Sequence, residues 1–367
     1  MEENIVDKSN QLETKCVSCG GTLHYAQGTS MMTCQYCGAS NEFEVPVHHA
    51  EELDFHAYVQ SVMSNPDATE KISTIKCDAC GSTTNFDPKI VSDSCSFCGS
   101  PLAVKEGSTN QIKPKSMLPF AIDKNKGFEE FKKWVNSRWF APNDLKKATR
   151  NTESLNGVYI PYWTFDAGTY TYYTGMRGIH RQERYTTTVN GKEQTMYRTV
   201  TDWYPCAGYV SHDFDDVLVL ASDSLPKTYT EALEPWDLNN LAGFDHKFMS
   251  GFKAESYAVD LEAGFEIAKE KMESRINMLV RQDIGGNAQQ ILTKDITHSN
   301  VTFKHILLPV YISAFRYNGR VYRFLVNGRT GEVQGERPYS TLKIVFFILM
   351  LIAVIAGIVM LVMHFKK

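Results

Sequence analysis

A chain of 367 residues, 43% of them hydrophobic, is long enough for two or more domains and apolar enough for a real core. Its formal charge of −4 is unevenly spread: residues 1–110 carry fifteen Asp and Glu against six Lys, a formal −9, and residues 111–150 carry ten Lys and Arg against four acids, or +6. The acidic N-terminal part argues against nucleic-acid binding there, because phosphate binding needs a basic surface that releases counterions.

The N-terminus, MEENIVDKSNQLETK, is acidic and polar and does not read as a signal peptide. Eight cysteines follow as one pattern used twice: Cys16-x-x-Cys19 and Cys34-x-x-Cys37 with fourteen positions between them, and, shifted by 61 residues, Cys77-x-x-Cys80 and Cys95-x-x-Cys98 with the same fourteen, every knuckle followed by Gly. A Cys-x-x-Cys turn aims two thiolates at one point, and two such knuckles make a closed four-sulfur site with no position for water or substrate. That is the coordination of structural zinc, so two Zn2+ ions are expected. Disulfides and iron are the competing readings; a chain without a cleavable leader does not look secreted, although thiolate tetrahedra also accept iron. Each tetrathiolate centre would add about −2 to an already acidic region.

The expected organisation is α+β: zinc ribbon 1 over 14–47, a helical connector over 48–74, zinc ribbon 2 over 75–105, a polar linker over 106–118, an antiparallel-sheet domain with packed helices over 119–341, and a transmembrane helix over 342–364. Leu23, Tyr25 and Phe43 are expected to pack on the first metal site, and Phe86, Phe97 and Leu102 on the second, since a ribbon of about 30 residues cannot build a core alone. The connector helix is predicted over Glu51 to Met63, with Leu53, Ala57, Tyr58 and Val62 on one face. His48, His49 and His56 read as surface residues, because both four-cysteine sets are already complete.

In the larger domain Asp123 can cap a helix bearing Phe128, Phe131, Trp134 and Val135. A second helix is predicted from about Val259 to Val280, and Gly285-Gly286 breaks it. Hairpins are predicted through Asn190-Gly191 and Asn318-Gly319. The stretch from Gly157 to Trp163 and that from His305 to Ile312 echo one another, each a strand carrying a Pro and aromatics, which suggests a duplicated motif. Ile344 to Met363 supplies twenty residues without a charge, enough to cross a hydrocarbon core as a helix. Positive charges flank this span on both sides, so orientation rests on the thiols: eight free cysteines need a reducing compartment, which places the preceding residues in the cytoplasm and only His364 to Lys367 beyond the bilayer.

Catalytic signatures are missing from the sequence. It contains no phosphate loop, no Gly-x-Ser-x-Gly elbow and no His-Glu-x-x-His helix. Cys206 reads as a small hydrophobe, and Asp245, His246 and Glu255, the best polar cluster, as capping or sheet-edge groups. No enzymatic activity is therefore expected.

The tandem Cys-x-x-Cys-Gly ribbons, Arg138-Trp-Phe-Ala-Pro142, Gly157-Val-Tyr-Ile-Pro-Tyr-Trp-Thr-Phe-Asp166, Gly251-Phe-Lys-Ala-Glu255 and the final span together resemble the bacterial tail-anchored, TFIIB-type tandem zinc-ribbon membrane proteins. The resemblance covers nearly the whole chain, and the eight cysteines match its pattern position for position. Some relatives carry labels borrowed from a primosomal helicase, which the missing ATPase motif does not support here. The resemblance implies a membrane anchor of phage-shock-like envelope-stress operons that recruits a flotillin-like (SPFH) protein and a phage-shock protein A homologue. It carries over no catalytic residue. The expected function is thus a cytoplasm-facing adaptor at the cell membrane, recruiting protein partners through its ribbons; the alternative is a membrane-tethered zinc-ribbon protein that binds nucleic acid.

Overall fold

The computed structural model describes residues 15–43, 51–64, 70–85, 93–97, 100–102, 107–145, 155–189, 191–318 and 320–365. The first cysteine unit is a three-stranded antiparallel sheet of β1 (Leu23–Ala26), β2 (Met31–Cys34) and β3 (Ser40–Glu42). Its alternation sends Leu23, Tyr25 and Met32 inward, where they meet Phe43 and the buried Cys16 and Cys34. β4 (Leu53–Asp54) then pairs with Thr302–Phe303 in the main sheet, so α1 starts only at Phe55 and runs to Ser64. Asp54 starts it by accepting the Ala57 N–H at 2.7 Å, a cap that residues 51–53 could not supply from inside a helix.

The second unit contains β5 (Glu70–Lys76), β6 (Thr83–Asn85), β7 (Asp93–Ser94), β8 (Pro101–Leu102) and β9 (Gly107–Gln111). β5 lies between β6 and β9. The stretch 106–118, expected as a linker, therefore carries β9, and further on β10 (Ser116–Met117), a strand of the main sheet. Within it β9 lies at the edge of the small sheet, whereas β10 lies inside the main sheet with Ser116, Met117 and Leu118 buried.

The main body follows with α2 (Lys124–Ser137), β11 (Asn156–Val189), β12 (Lys192–Leu220), α3 (Lys227–Glu231), β13 (Ala242–Gly243), α4 (His246–Met249), β14 (Lys253–Ala254), α5 (Leu261–Ile284), β15 (Ala288–Tyr317), β16 (Arg320–Asn327) and β17 (Val333–Gly335). The sheet is ordered β12-β11-β15-β10-β13, and β16 and β17 extend it beside β15. β11, β12 and β15 are 34, 29 and 30 residues long, far beyond the roughly 5–6 residues of an ordinary strand. They build an arm braced by α5, whose Phe265, Ala268, Met272, Ile276, Val280 and Ile284 are buried against it. Beyond Gly178, where β15 pairing ends, the β11–β12 hairpin continues to its last pair, Val189–Lys192.

The strand echo is part of a larger internal pseudo-twofold. Asp123 accepts the Lys126 N–H at 2.7 Å to begin α2, and Asp260 accepts the Ala263 N–H at 2.8 Å to begin α5. Four residues past each cap stands a glycine against an aromatic ring of the opposite half: a Cβ on Gly127 would lie 3.3 Å from Tyr311, and one on Gly264 would lie 2.8 Å from Trp163. Those rings close the exchange, because Tyr311 donates its hydroxyl to the Ile122 carbonyl at 2.8 Å and Trp163 its indole N–H to the Val259 carbonyl at 2.9 Å. The short strands swap likewise: β10 runs parallel to β15 at Ile306–Leu307, and β14 runs parallel to β11 at Val158–Tyr159.

The two prolines of the echo sit at matching places. Pro161 falls between the β14 and β12 pairings of β11, and Pro309 between the β10 and β16 pairings of β15. Each carbonyl still accepts a bond, from Ala221 and Gly328 respectively. A residue without an N–H is tolerated at such a handover because no partner strand needs its donor.

Both cysteine units are built into this body. Tyr25 and Phe43 of the first pack edge-on against Phe248 of α4, with centroids 5.1 and 5.2 Å apart, and the Tyr25 N–H donates to Ser250. Ile75, Cys77, Cys95, Phe97 and Leu102 of the second share a core with Leu118, Tyr162 and Leu233. α6 (Thr341–Phe365) follows the last strand; none of its residues is buried, and it is the one helix among the described residues long and apolar enough to cross a membrane.

Candidate metal centres

Each described knuckle turn is closed by a backbone bond from its glycine to its first cysteine: the N–H groups of Gly20, Gly38 and Gly81 donate to the carbonyls of Cys16, Cys34 and Cys77. These glycines have φ of 72°, 74° and 79°, the left-handed region that a side chain would strain. The turns bring the sulfurs of Cys16, Cys19, Cys34 and Cys37 within 4.8 Å of one another, and those of Cys77, Cys80 and Cys95 likewise. Cys98, expected as the eighth ligand, lies outside the described residues, as do His48, His49 and Phe86. His56 is exposed at the start of α1.

The geometry fits a metal and does not fit disulfides. Cys16 and Cys37 sulfurs are 3.6 Å apart, Cys19 and Cys34 3.5 Å, and Cys80 and Cys95 3.6 Å. A disulfide needs about 2.05 Å, whereas a tetrahedron with metal–sulfur bonds of about 2.3 Å has edges of about 3.8 Å. All described cysteines are free.

Backbone N–H groups aimed at the first cluster favour thiolates at two of its cysteines. The Ser18 N–H draws the Cys16 thiol down to about 6, and the Cys37 N–H lowers Cys34. Cys19 also receives an N–H, from Gly21, yet Cys37 and Cys34 push it up to about 12. Four thiolates cannot stand this close without a cation among them. Both clusters are positioned to hold one.

Cys16 and Cys34 are buried toward Leu23 and Tyr25, while Cys19 and Cys37 face outward beside Val17 and Tyr36, which are 86% and 82% exposed. The second cluster is turned inward: Cys77 and Cys95 are buried, and the Ser82 hydroxyl lies 3.2 Å from the sulfurs of both Cys80 and Cys95.

The residues weighed for catalysis have separate tasks. Asp245 caps α4 by accepting the Lys247 N–H at 2.8 Å, His246 is exposed, and Cys206 is half-buried in the arm. Glu255 is 4% exposed, and burial pushes its carboxyl up to about 7 against the pull of Ser224 and Ser222. Its N–H donates to Tyr159, where β14 meets β11.

A cluster that the sequence reading passed over surrounds Lys304, which is 6% exposed and lies 2.7 Å from Asp216, 3.2 Å from Glu52 and 3.8 Å from Asp166. Burial works against its charge, but the three carboxylates hold its ammonium above the ordinary range. This pins β4 and the β11–β12 bulge to β15. No local sequence signal could have found it, since its members come from four distant segments.

Among known proteins, one of Bacillus subtilis (strain 168) described as "Uncharacterized protein YdjG" is 25% identical over 333 residues, covering 90% of this chain and 91% of that one. No protein-family profile matches the chain. No solved structure matches it significantly.

Proposed function

We propose that this chain is a membrane-anchored adaptor whose two four-cysteine sites hold structural zinc and whose body gathers protein partners at the cytoplasmic face of the cell membrane. The observation that carries this reading is the closed sulfur cluster wired into the core of a body that ends in an exposed apolar helix. Such a site stiffens a scaffold and leaves no coordination position for catalysis.

Two uncovered surfaces support recruitment. One is the first knuckle, with Val17 and Tyr36. The other is the arm, which leaves Tyr170, Tyr172, Tyr197, Trp203, Tyr204 and Tyr209 37–67% exposed. Tyr and Trp are the residues that anchor protein interfaces. The acidic ribbon region speaks against nucleic acid as the partner.

Affinity purification of the full chain from membranes in mild detergent tests this. Flotillin-like and phage-shock protein A-like chains are the expected companions, by the family resemblance. They should be lost when Tyr170, Tyr172, Tyr204 and Tyr209 of the arm are changed together to Ser, or when Val17 and Tyr36 are both changed to Ala. Recovery of salt-sensitive nucleic acid in place of proteins, or full recovery of partners with both variants, would contradict the proposal.

A further inference from the structure

Two clefts share Arg138: one borders the segment that leads into α6, and the other reaches α6 at Lys343. The larger, about 480 Å3, lies between the end of α2 and the β16–β17 edge and is lined by Trp134, Arg138, Tyr322, Glu336, Arg337 and Tyr339. The smaller, about 270 Å3, is bounded by Arg138, Trp139, Pro142 and Lys343.

Their polar groups are prepared for a ligand that the protein does not itself provide. Trp134 is 8% exposed, yet its indole N–H has no partner, and the Arg138 Nε is likewise buried and unpartnered. A buried donor left this way carries an uncompensated desolvation cost, which a bound acceptor would recover. The Arg138 guanidinium is held 5.0 Å over the Trp134 ring, and that of Arg337 5.3 Å over the Tyr339 ring. Lys343 donates only to the carbonyls of Trp139 and Ala141. Among the described residues no carboxylate pairs with these three cations. Glu336, the acid in the larger cleft, accepts the Arg323 N–H at 3.2 Å.

The depth of the clefts is fixed by the same loop. Trp139 and Phe140 pack on Phe347 at 5.9 and 5.5 Å, and the Ser340 N–H donates to Phe140. Phe347 is the fourth residue of the apolar run that begins at Ile344, about one turn inside the span. Trp139, 55% exposed, therefore sits where interfacial tryptophans sit, and the cations lie at headgroup height.

We propose that these joined clefts bind the phosphodiester headgroup of an anionic phospholipid, with Arg138 and Arg337 facing the phosphate oxygens and the Trp134 indole N–H donating to the headgroup. The site rests on α6 crossing the bilayer. Paired guanidiniums suit phosphate, and a position against the anchor gives the acyl chains a place along α6.

Native mass spectrometry of the full chain in neutral detergent, titrated with phosphatidylglycerol or phosphatidylcholine, tests the proposal. Phosphatidylglycerol should be retained about tenfold more tightly. The double variant Arg138→Gln/Arg337→Gln should lose that preference, Trp134→Phe should weaken it several-fold, and Lys132→Gln/Lys133→Gln, on the exposed side of the same helix, should leave it intact. Equal retention of the two lipids, or an unchanged preference in the double arginine variant, would overturn the site. So would glycerol phosphate displacing the lipid at equal concentration, since the ligand would then be a soluble phosphate. Release of the chain from membranes by alkaline carbonate would overturn the span and the site together, whereas retention without lipid preference would remove the site alone.

Discussion

Replacing Phe248 with Ala should destabilise the whole body and not only the contact it makes. The side chain is 1% exposed and forms edge-to-face contacts with Tyr25 and Phe43, both in the first cysteine unit. Truncating a fully buried phenylalanine costs about 3–5 kcal/mol, including the cavity and the lost aromatic pairs. In a body of this size each kcal/mol shifts Tm by about 2–4 °C, so a drop of about 6–20 °C is expected. Thermal unfolding of the full chain in detergent, followed by intrinsic fluorescence, measures it. Met31→Ala, at a site 41% exposed on the same unit, serves as the control and should shift Tm by less than about 2 °C. The reasoning fails if Phe248→Ala melts with the wild type, or if the first unit unravels in a separate early transition while the body melts unchanged. Either result would make the unit an independent module.

Glu255→Gln should flatten part of the pH dependence of stability. The folded carboxyl titrates near 7 against an ordinary value of 4.5, so between these values the native state keeps a proton that the unfolded chain has released. Wild-type stability should thus fall as pH rises through this window, by roughly 3 kcal/mol once past 7, and denaturant melts at pH 5 and pH 8 should show the variant lacking that fall. A variant that retains the wild-type slope would assign the titration elsewhere. Lys304→Met should cost about 3–5 kcal/mol, because it strands the Glu52, Asp166 and Asp216 carboxylates around a buried position; an unchanged melting midpoint would show that water already screens the cluster. Deleting residues 1–110 should give an aggregating chain, since it strips Tyr25, Phe43, Ile75, Phe97 and Leu102 from two shared cores. A soluble, cooperatively melting 111–367 fragment would contradict that.

Much of this arrangement is legible locally. Cysteine spacing gives the sulfur clusters because a knuckle is a property of five consecutive residues. The cap at Asp123 is also short-range chemistry and stands where the sequence places it, and the two predicted hairpins pair up to Val189–Lys192 and Tyr317–Arg320. The apolar run of α6 needs no tertiary context at all.

Strand length is a different matter. Past Gly178 the β11–β12 hairpin is exposed on both faces, so residues 179–199 carry no inward apolar alternation to announce a strand. Ion pairs such as Arg181–Asp202 and Arg198–Glu183, both 2.7 Å, support it instead. The docking of the cysteine units is also invisible locally, since Tyr25 and Phe248 are joined only by the fold. The duplication has a local trace as well, because Asp123 with Gly127-Phe128 and Asp260 with Gly264-Phe265 repeat at the same spacing.

Elemental analysis of the full chain, purified without chelators, tests the proposed structural role of the cysteines most directly. Two zinc ions per chain are expected, falling to one in Cys34→Ser, with an intact mass that shows all nine cysteines free of disulfides once the metal is removed. One zinc ion or none in the wild type, iron in place of zinc, or an oxidised mass would contradict it.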